Sequence, residues 1–236
     1  ILREKGDPAR ARKAYQDALS RDARNFLARI GIAKLDLTER KLNNAERSLE
    51  MLKSENPNNA EIRMILGNTY LALAKYKLAE EEQRAATELA PRSSQAWLGL
   101  ANTLAAEGNA KASEDPYRRA LALGKKESYD ARLGLGYSLK AQGKNEEALK
   151  EFENASAIRT ANLDAHLEEA KLLVQTKQWR EAERAARDAL SADGKNAAAH
   201  RYLGEALLNQ GAHEEARKEL SRSLDLDPKE DVTRYD

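Results

Sequence analysis

His166 and His200 are the two side chains whose type and spacing come closest to a metal-binding pair in this sequence. They occupy equivalent places in two similar segments of the chain. A structural or catalytic zinc site needs at least three protein ligands. The chain has no cysteine, and its third histidine, His213, falls in a turn. We therefore predict that both histidines fill a bulky packing position, and that the chain binds neither a metal nor another cofactor.

Adjacent carboxylates could act as a general acid and base, and two such pairs occur, Glu146–Glu147 and Glu214–Glu215. Each pair stands at the start of a predicted helix, where negative charge favours the helix dipole. No glycine-rich phosphate loop, nucleophile elbow or metal-binding helix motif accompanies them. The sequence therefore predicts a protein that is not an enzyme.

The charge balance limits the classes of partner. The chain has 40 Lys and Arg against 39 Asp and Glu, a net charge of +1, and its short basic clusters alternate with acids. This pattern predicts no nucleic-acid partner. No apolar run approaches the length that spans a bilayer, so we predict no direct membrane insertion. The absence of cysteine is compatible with both cytoplasm and periplasm, so the location stays open.

The elements that carry these side chains repeat every 34 residues, with a single step of 35. The repeats begin at Phe26, Ala60, Ser94, Tyr129, Leu163 and Ala197. Position eight is small in every repeat: Ala33, Gly67, Ala101, Gly136, Ala170 and Gly204. Position twenty is small as well: Ala45, Ala79, Ser113, Ala148, Ala182 and Ala216. So regular a register indicates an array in which each unit packs on its neighbours.

Each repeat divides into two periodic runs. In the last one, apolar residues recur at helical spacing up to Gly211, and a second run ends at Pro228. This pattern predicts an antiparallel pair of helices in which the small residues allow close approach. The pattern predicts a single array over residues 1–236. It consists of a half repeat at 1–25, the six repeats, and the start of another repeat at 231–236. We expect it to be part of a longer array.

The segments resemble the tetratricopeptide repeat, whose pattern is W-x2-L-G-x2-Y followed by A-x3-F, A and P. The clearest match contains Trp97, Leu100, Ala101, Leu104, Gly108, Tyr117 and Ala120. The next contains Leu135, Gly136, Gly143, Ala148, Phe152 and Ala155. The resemblance covers essentially the whole chain. It implies an all-α fold, a right-handed superhelical solenoid of antiparallel helix pairs with about six and a half repeats and a concave groove lined by the first helices.

By this resemblance, first-helix positions two, five, nine, twelve and thirteen face the groove. The candidate partner-binding residues are Ile30, Lys34, Met64, Asn68, Leu71, Leu98, Asn102, Leu133, Tyr137, Lys140, Leu167, Lys171, Arg201 and Glu205. Apolar positions beside a polar one suit an extended peptide or an amphipathic helix. Asn68 and Asn102 are the best candidates for bidentate backbone contacts, because an amide both donates and accepts. The alternative is that the apolar positions pack first helices against each other.

The family's two-carboxylate clamp for chaperone C-termini needs Lys and Asn in one repeat, Asn in the next, and Lys and Arg in the third. Asn68 matches the first Asn, but the other four places hold Met64, Gly99, Asp130 and Gly134. We therefore predict that the chain is not a receptor for chaperone C-termini.

Pro116 interrupts the pattern in the middle of a predicted second helix. A proline there removes a hydrogen bond and clashes with the preceding turn. Either the helix is kinked, or it begins late with Asp115 as its cap and Pro116 as its first residue.

These observations predict a non-catalytic scaffold that binds a peptide or helix of a partner protein in the groove. Ala- and Arg-rich repeats with few aromatic residues look like bacterial members of the family, for which assembly of pili, secretion machines or surface-polymer exporters is a common role. Two alternatives stay open: a homo-oligomeric scaffold, and the targeting module of a larger enzyme.

Overall fold

The computed structural model describes residues 7–124, 128–159 and 162–228. Within these ranges there are thirteen α-helices and no strand. The helices are α1 (Pro8–Arg21), α2 (Phe26–Thr38), α3 (Leu42–Glu55), α4 (Ala60–Ala72), α5 (Tyr76–Leu89), α6 (Ser94–Ala106), α7 (Ala110–Leu123), α8 (Tyr129–Ala141), α9 (Asn145–Ile158), α10 (Leu163–Gln175), α11 (Trp179–Ala192), α12 (Ala197–Asn209) and α13 (His213–Leu226). The predicted all-α solenoid of antiparallel helix pairs is confirmed. The predicted start of a further repeat at 231–236 lies outside the described residues.

The helices form two compact units, residues 1–124 (unit 1) and 125–236 (unit 2). In unit 1 the first helices of the repeats are α2, α4 and α6; in unit 2 they are α8, α10 and α12. Each first helix packs on the second helix of its own repeat. Second helices also pack on the next first helix within a unit, as α5 does on α6 and α11 on α12. No helix in the described ranges is long and apolar enough to cross a membrane.

Local sequence signals explain where the helices begin. Each first helix follows an N-cap whose side-chain oxygen accepts a hydrogen bond from a backbone N–H in the first turn. These caps are Asn25, Asn59, Ser93, Ser128, Asn162 and Asn196. The turn between the two helices of a repeat places one residue at positive φ. That residue is glycine in three repeats, including Gly108 at 90° and Gly211 at 84°. The helix pair therefore has the same boundaries in every repeat.

The small residues at positions eight and twenty are buried, as predicted; Ala33, Ala45 and Ala79 are 0% exposed. The structure adds a third member to this packing, the residue at position twenty-four. A Cβ atom added at Gly67 would lie 2.7 Å from Nε2 of Gln83. Position eight is glycine at Gly67, Gly136 and Gly204, where the position-twenty-four side chains Gln83, Phe152 and Leu220 fill the space beside it.

His166 and His200 occupy position four of their repeats, which we predicted to be a bulky packing position. Residues at this position also make hydrogen bonds. Trp97 donates from Nε1 to the carbonyl oxygen of Pro91 over 2.9 Å, and Arg63 donates from Nε to that of Pro57 over 3.0 Å. Both acceptors lie in the turn before the first helix. Three repeats also pair position four with a glutamate at position twenty-three of the second helix. The pairs are Arg63–Glu82, Arg132–Glu151 and His200–Glu219.

Pro116 occupies position twenty-three of its repeat and lies inside α7, which runs without interruption from Ala110 to Leu123. The helix begins after Asn109, whose Oδ1 accepts from the N–H of Ala112 over 3.2 Å. The expectation of a late start capped by Asp115 is therefore wrong. The proline is a buried residue of a helix as long as the other second helices, 14 residues.

Candidate functional site

The first-helix face of unit 1 comprises positions two, five, nine, twelve and thirteen of α2, α4 and α6. Helix α4 packs beside both α2 and α6, so these positions follow one another across adjacent helices.

Of the predicted residues, Asn68 and Asn102 are exposed. Lys34, Met64, Leu71 and Leu98 are half-buried. Ile30 is only 4% exposed and belongs to the hydrophobic core, so it supports the face from beneath.

This face carries no unbalanced charge. Its ionised side chains are Lys34 on α2 and Glu61 on α4. They pair with each other across the two helices, with Nζ 2.5 Å from Oε1. The remaining positions are apolar or carry uncharged polar groups, and Leu27 is 75% exposed. A surface of this kind favours contact with an uncharged, partly apolar segment over a highly charged one.

The two exposed asparagines are held by the second helices behind them. Asn68 Oδ1 accepts a hydrogen bond from Nε2 of Gln83 over 2.8 Å. Asn102 Oδ1 accepts one from the hydroxyl of Tyr117, also over 2.8 Å. Burial raises the pKa of Tyr117 to about 12, so its hydroxyl remains a donor at neutral pH. Each asparagine oxygen therefore accepts a hydrogen bond from within the protein. The side chains of both asparagines are exposed, and these contacts do not involve their NH₂ groups.

The first-helix face of unit 2 is formed by the same positions of α8, α10 and α12. Leu133, Lys140, Leu167, Lys171, Arg201 and Glu205 are half-buried. Tyr137 is 43% exposed, and its ring meets that of Phe152 edge-on with the centroids 5.5 Å apart. Burial, followed by the charge of Glu168, raises the pKa of Tyr137 to about 12. The face thus presents one ordered aromatic ring.

Unlike the face of unit 1, this face carries several ion pairs. Lys140 Nζ lies 2.5 Å from Oε2 of Glu168 on α10. Arg201 pairs with Glu205 over 2.9 Å, and its guanidinium lies 4.4 Å from the ring centroid of Tyr202. The two units therefore present chemically different faces.

His166 and His200 are buried, whereas the carboxylate pairs Glu146–Glu147 and Glu214–Glu215 are exposed in the first turns of α9 and α13. Among the described residues, no group of three or more His, Cys, Asp or Glu is arranged to hold a metal ion. Glu169 shows the raised pKa that marks many catalytic acids, caused chiefly by burial and then by Glu153. However, Glu169 is only 5% exposed and accepts from the Ser156 hydroxyl over 3.3 Å. These contacts indicate a structural carboxyl group.

Sequence reasoning missed the residues at position twenty-four. Gln83, Tyr117 and Phe152 each contact the position-nine side chain of their own repeat. The signal was present in the sequence as a constant spacing of 15 residues. It could not be interpreted without knowing that positions nine and twenty-four meet between the two helices of a repeat.

Comparisons with known proteins agree with this architecture. Two family models, both described as tetratricopeptide repeat, match the chain. One covers residues 66–128 and 167–231, and the other covers residues 2–69 and 139–189. No curated protein matches the sequence.

Several solved structures share the fold at low sequence identity. PilF of Pseudomonas aeruginosa is 18% identical with a TM-score of 0.74, covering 94% of each chain. PilW, described as a widely conserved type IV pilus biogenesis factor, is 18% identical with a TM-score of 0.73, covering 86% of this chain and 94% of its own. YrrB, described as having an unusual peptide-binding site, is 20% identical with a TM-score of 0.69, covering 77% of this chain and 93% of its own.

Proposed function

This chain belongs to the tetratricopeptide repeat family, and on that premise we propose that it is a protein-interaction scaffold that binds a peptide segment or helix of a partner protein on its first-helix faces. One observation carries the proposal: adjacent first helices of unit 1 expose Asn68 and Asn102 beside half-buried Met64 and Leu98. Apolar positions bind side chains of a ligand, and amides bind its backbone. No catalytic step is part of this function.

Side chains on the first-helix face of unit 1 are held in place by other residues of the protein, and this supports a role of unit 1 in such binding. The asparagines are fixed from behind, and Lys34 and Glu61 neutralise each other. A surface that is ordered before binding loses less conformational entropy when a ligand docks. YrrB, which shares this fold and is described as having an unusual peptide-binding site, adds support to this class of function.

We test the function with a displayed library of linear peptides, selected against the whole chain. Leu98→Glu and Asn102→Ala alter the first-helix face of unit 1. Leu89→Glu is the matched control, because Leu89 is a 41% exposed leucine on a second helix of the same unit. We expect the two face variants to bind the selected peptides at least tenfold more weakly and the control to bind as the wild type does. Equal binding by all variants would refute the proposal.

We further propose that the scaffold serves the assembly of a bacterial pilus, secretion machine or surface-polymer exporter. The fold shared with PilF and PilW supports this narrower role. The test is affinity purification of the tagged chain from its native host, followed by mass spectrometry. Components of such a machine should be enriched with the wild type and lost with Leu98→Glu. Enrichment of unrelated proteins alone would contradict this role.

Self-association is the competing use of the same faces. Light scattering over a concentration series separates self-association from binding of a partner protein. A chain that stays monomeric has its first-helix faces free for another protein. A mass that rises with concentration, and that Leu98→Glu returns to monomer, would favour the homo-oligomeric scaffold instead.

A further inference from the structure

Positions nine and twenty-four form a matched pair in three consecutive repeats. Asn68 meets Gln83, Asn102 meets Tyr117, and Tyr137 meets Phe152. Asparagine stands at position nine only in the two repeats whose position twenty-four offers a hydrogen-bond donor. The residue behind each first helix therefore determines how the exposed position-nine side chain is held.

The orientation of the Gln83 amide follows from its surroundings. The side chain is 0% exposed, and Nε2 lies 3.3 Å from the carbonyl oxygen of Met64, which can only accept. The nitrogen must therefore face Met64, and the same nitrogen donates to Asn68 Oδ1 over 2.8 Å. Gln83 Oε1 is left without a hydrogen-bond partner. Turning the amide over would set two oxygens against each other at Met64, so the orientation shown is the favourable one.

Tyr117 contacts Asn102 from the equivalent position of the next repeat. Its side chain is 3% exposed, and its hydroxyl donates to Asn102 Oδ1 over 2.8 Å. The elevated pKa of this phenol keeps the proton on the oxygen throughout the physiological range. In two adjacent repeats the asparagine oxygen thus accepts one hydrogen bond from behind, and the NH₂ group is the part of the amide not used by that contact.

We propose that Gln83 and Tyr117 are positioning residues that fix Asn68 and Asn102 as hydrogen-bond donors, so that unit 1 selects an uncharged, extended peptide segment whose backbone carbonyls accept from both asparagines. This inference rests on the proposed function and names the ligand class for the unit 1 face. Charge supports the choice of ligand, because Lys34 and Glu61 already neutralise each other. A charged peptide would have to disrupt that pair or leave its own charge unpaired beside Met64 and Leu98.

The variants Gln83→Met and Tyr117→Phe remove the two donors while keeping most of the buried side-chain volume. Tyr129→Phe is the matched control. Tyr129 is 4% exposed and its hydroxyl also donates to an asparagine oxygen, that of Asn162 over 2.6 Å, at a helix cap outside the first-helix faces. A general effect of losing a buried tyrosine–asparagine bond would appear equally in the control.

The probes are blocked synthetic peptides in three sets, uncharged, acidic and basic, matched in length and apolar content. Binding to the whole chain is measured by fluorescence anisotropy. We expect the tightest binders in the uncharged set. Each positioning variant should weaken them about fivefold, as expected for one lost hydrogen bond, and Tyr129→Phe should bind as the wild type does.

A second measurement reports the orientation of the Asn68 and Asn102 side chains in the absence of a ligand. In ¹⁵N-labelled protein, Tyr117→Phe should shift the Asn102 side-chain NH₂ signals towards those of a freely exposed asparagine, and Gln83→Met should do the same for Asn68. The control variant should leave both pairs of signals unchanged. Signals that stay in place in the two positioning variants would show that Gln83 and Tyr117 do not orient the asparagines.

The inference is overturned if the tightest binders are acidic or basic, if no set binds, or if both positioning variants bind the uncharged peptides as the wild type does. Leu98→Glu separates this failure from that of the proposed function. If it abolishes binding while the positioning variants do not, the face is the binding site and only the positioning role fails. If it also has no effect, the proposed function fails.

Discussion

His200 Nδ1 lies 2.6 Å from Oε2 of Glu219, and the two side chains are 6% and 19% exposed. His200 belongs to α12 and Glu219 to α13, so the contact joins the two helices of the last repeat. The other ring nitrogen of His200, Nε2, lies 3.3 Å from the carbonyl oxygen of Gly194 in the turn before α12. One buried side chain therefore connects a first helix, its second helix and the preceding turn.

The variant His200→Phe keeps an aromatic ring at this position and removes the two ring nitrogens that contact Glu219 and Gly194. Because the half-buried carboxylate of Glu219 loses its partner in α12, we expect the free energy of unfolding to fall by about 1–3 kcal/mol. Urea denaturation followed by circular dichroism measures this loss. His213→Phe, at the exposed first residue of α13, is the control and should change little. Equal stability of the two variants would show that the His200 contacts do not stabilise the repeat.

Gly136→Ala tests the close approach of the helices in unit 2. The added Cβ would lie 2.5 Å from Cε1 of Phe152, an aromatic ring that cannot easily move aside. Overpacking of this kind costs about 1–3 kcal/mol, which exceeds the gain of up to about 1 kcal/mol in helix propensity. Gly194→Ala is the control, since its nearest neighbour, the carbonyl oxygen of Leu190, would be 3.6 Å away. A Gly136→Ala protein with an unchanged melting temperature would contradict the packing argument.

Pro116→Ala should stabilise the protein, which is unusual for a buried substitution. A proline inside a helix costs about 3 kcal/mol, whereas the ring carbons removed are worth roughly 1–2 kcal/mol of buried apolar surface. We therefore expect the free energy of unfolding to rise by about 1–2 kcal/mol in chemical denaturation. Pro91→Ala, at an exposed turn, should give no gain, because it only adds freedom to the unfolded chain. A less stable Pro116→Ala protein would mean that packing around the proline dominates.

Glu169 should make the stability of the protein depend on pH. Its pKa in the folded state is raised above the ordinary value of 4.5, chiefly by burial and then by Glu153. The folded state therefore binds this proton more tightly than the unfolded state, so stability falls as the pH rises from about 4.5 through the folded-state pKa.

Glu169→Gln should remove this dependence and leave the variant more stable than the wild type at the upper end of that range. Urea midpoints measured at several pH values for both proteins isolate the contribution of Glu169, because nearby His166 and Arg184 are common to both. Glu81→Gln, at an exposed position on α5, is the control, and its urea midpoint should change with pH as that of the wild type does. Parallel curves for Glu169→Gln as well would show that this carboxyl group is not perturbed.

The candidate site could be predicted only in outline. The period and the family resemblance placed Asn68, Asn102 and Leu98 on exposed or half-buried first-helix positions, as the structure has them. They also included Ile30, which the structure places in the core at 4% exposure. Whether a residue at position five is exposed depends on its neighbours in adjacent repeats, and a single repeat pattern does not contain that information. The role of these residues in binding stays a prediction.

By itself, the sequence determined the helix pairs, their boundaries and the two columns of small residues. These features depend on local propensity, capping and spacing, which act over a few residues or recur with the period. Only the tertiary structure decided which residue fills the space beside Gly67, that Pro116 lies within a full-length helix, and that Gln83 and Tyr117 hold Asn68 and Asn102. Those relationships join two helices across a turn, and the direction in which a side chain donates is fixed by the atoms around it.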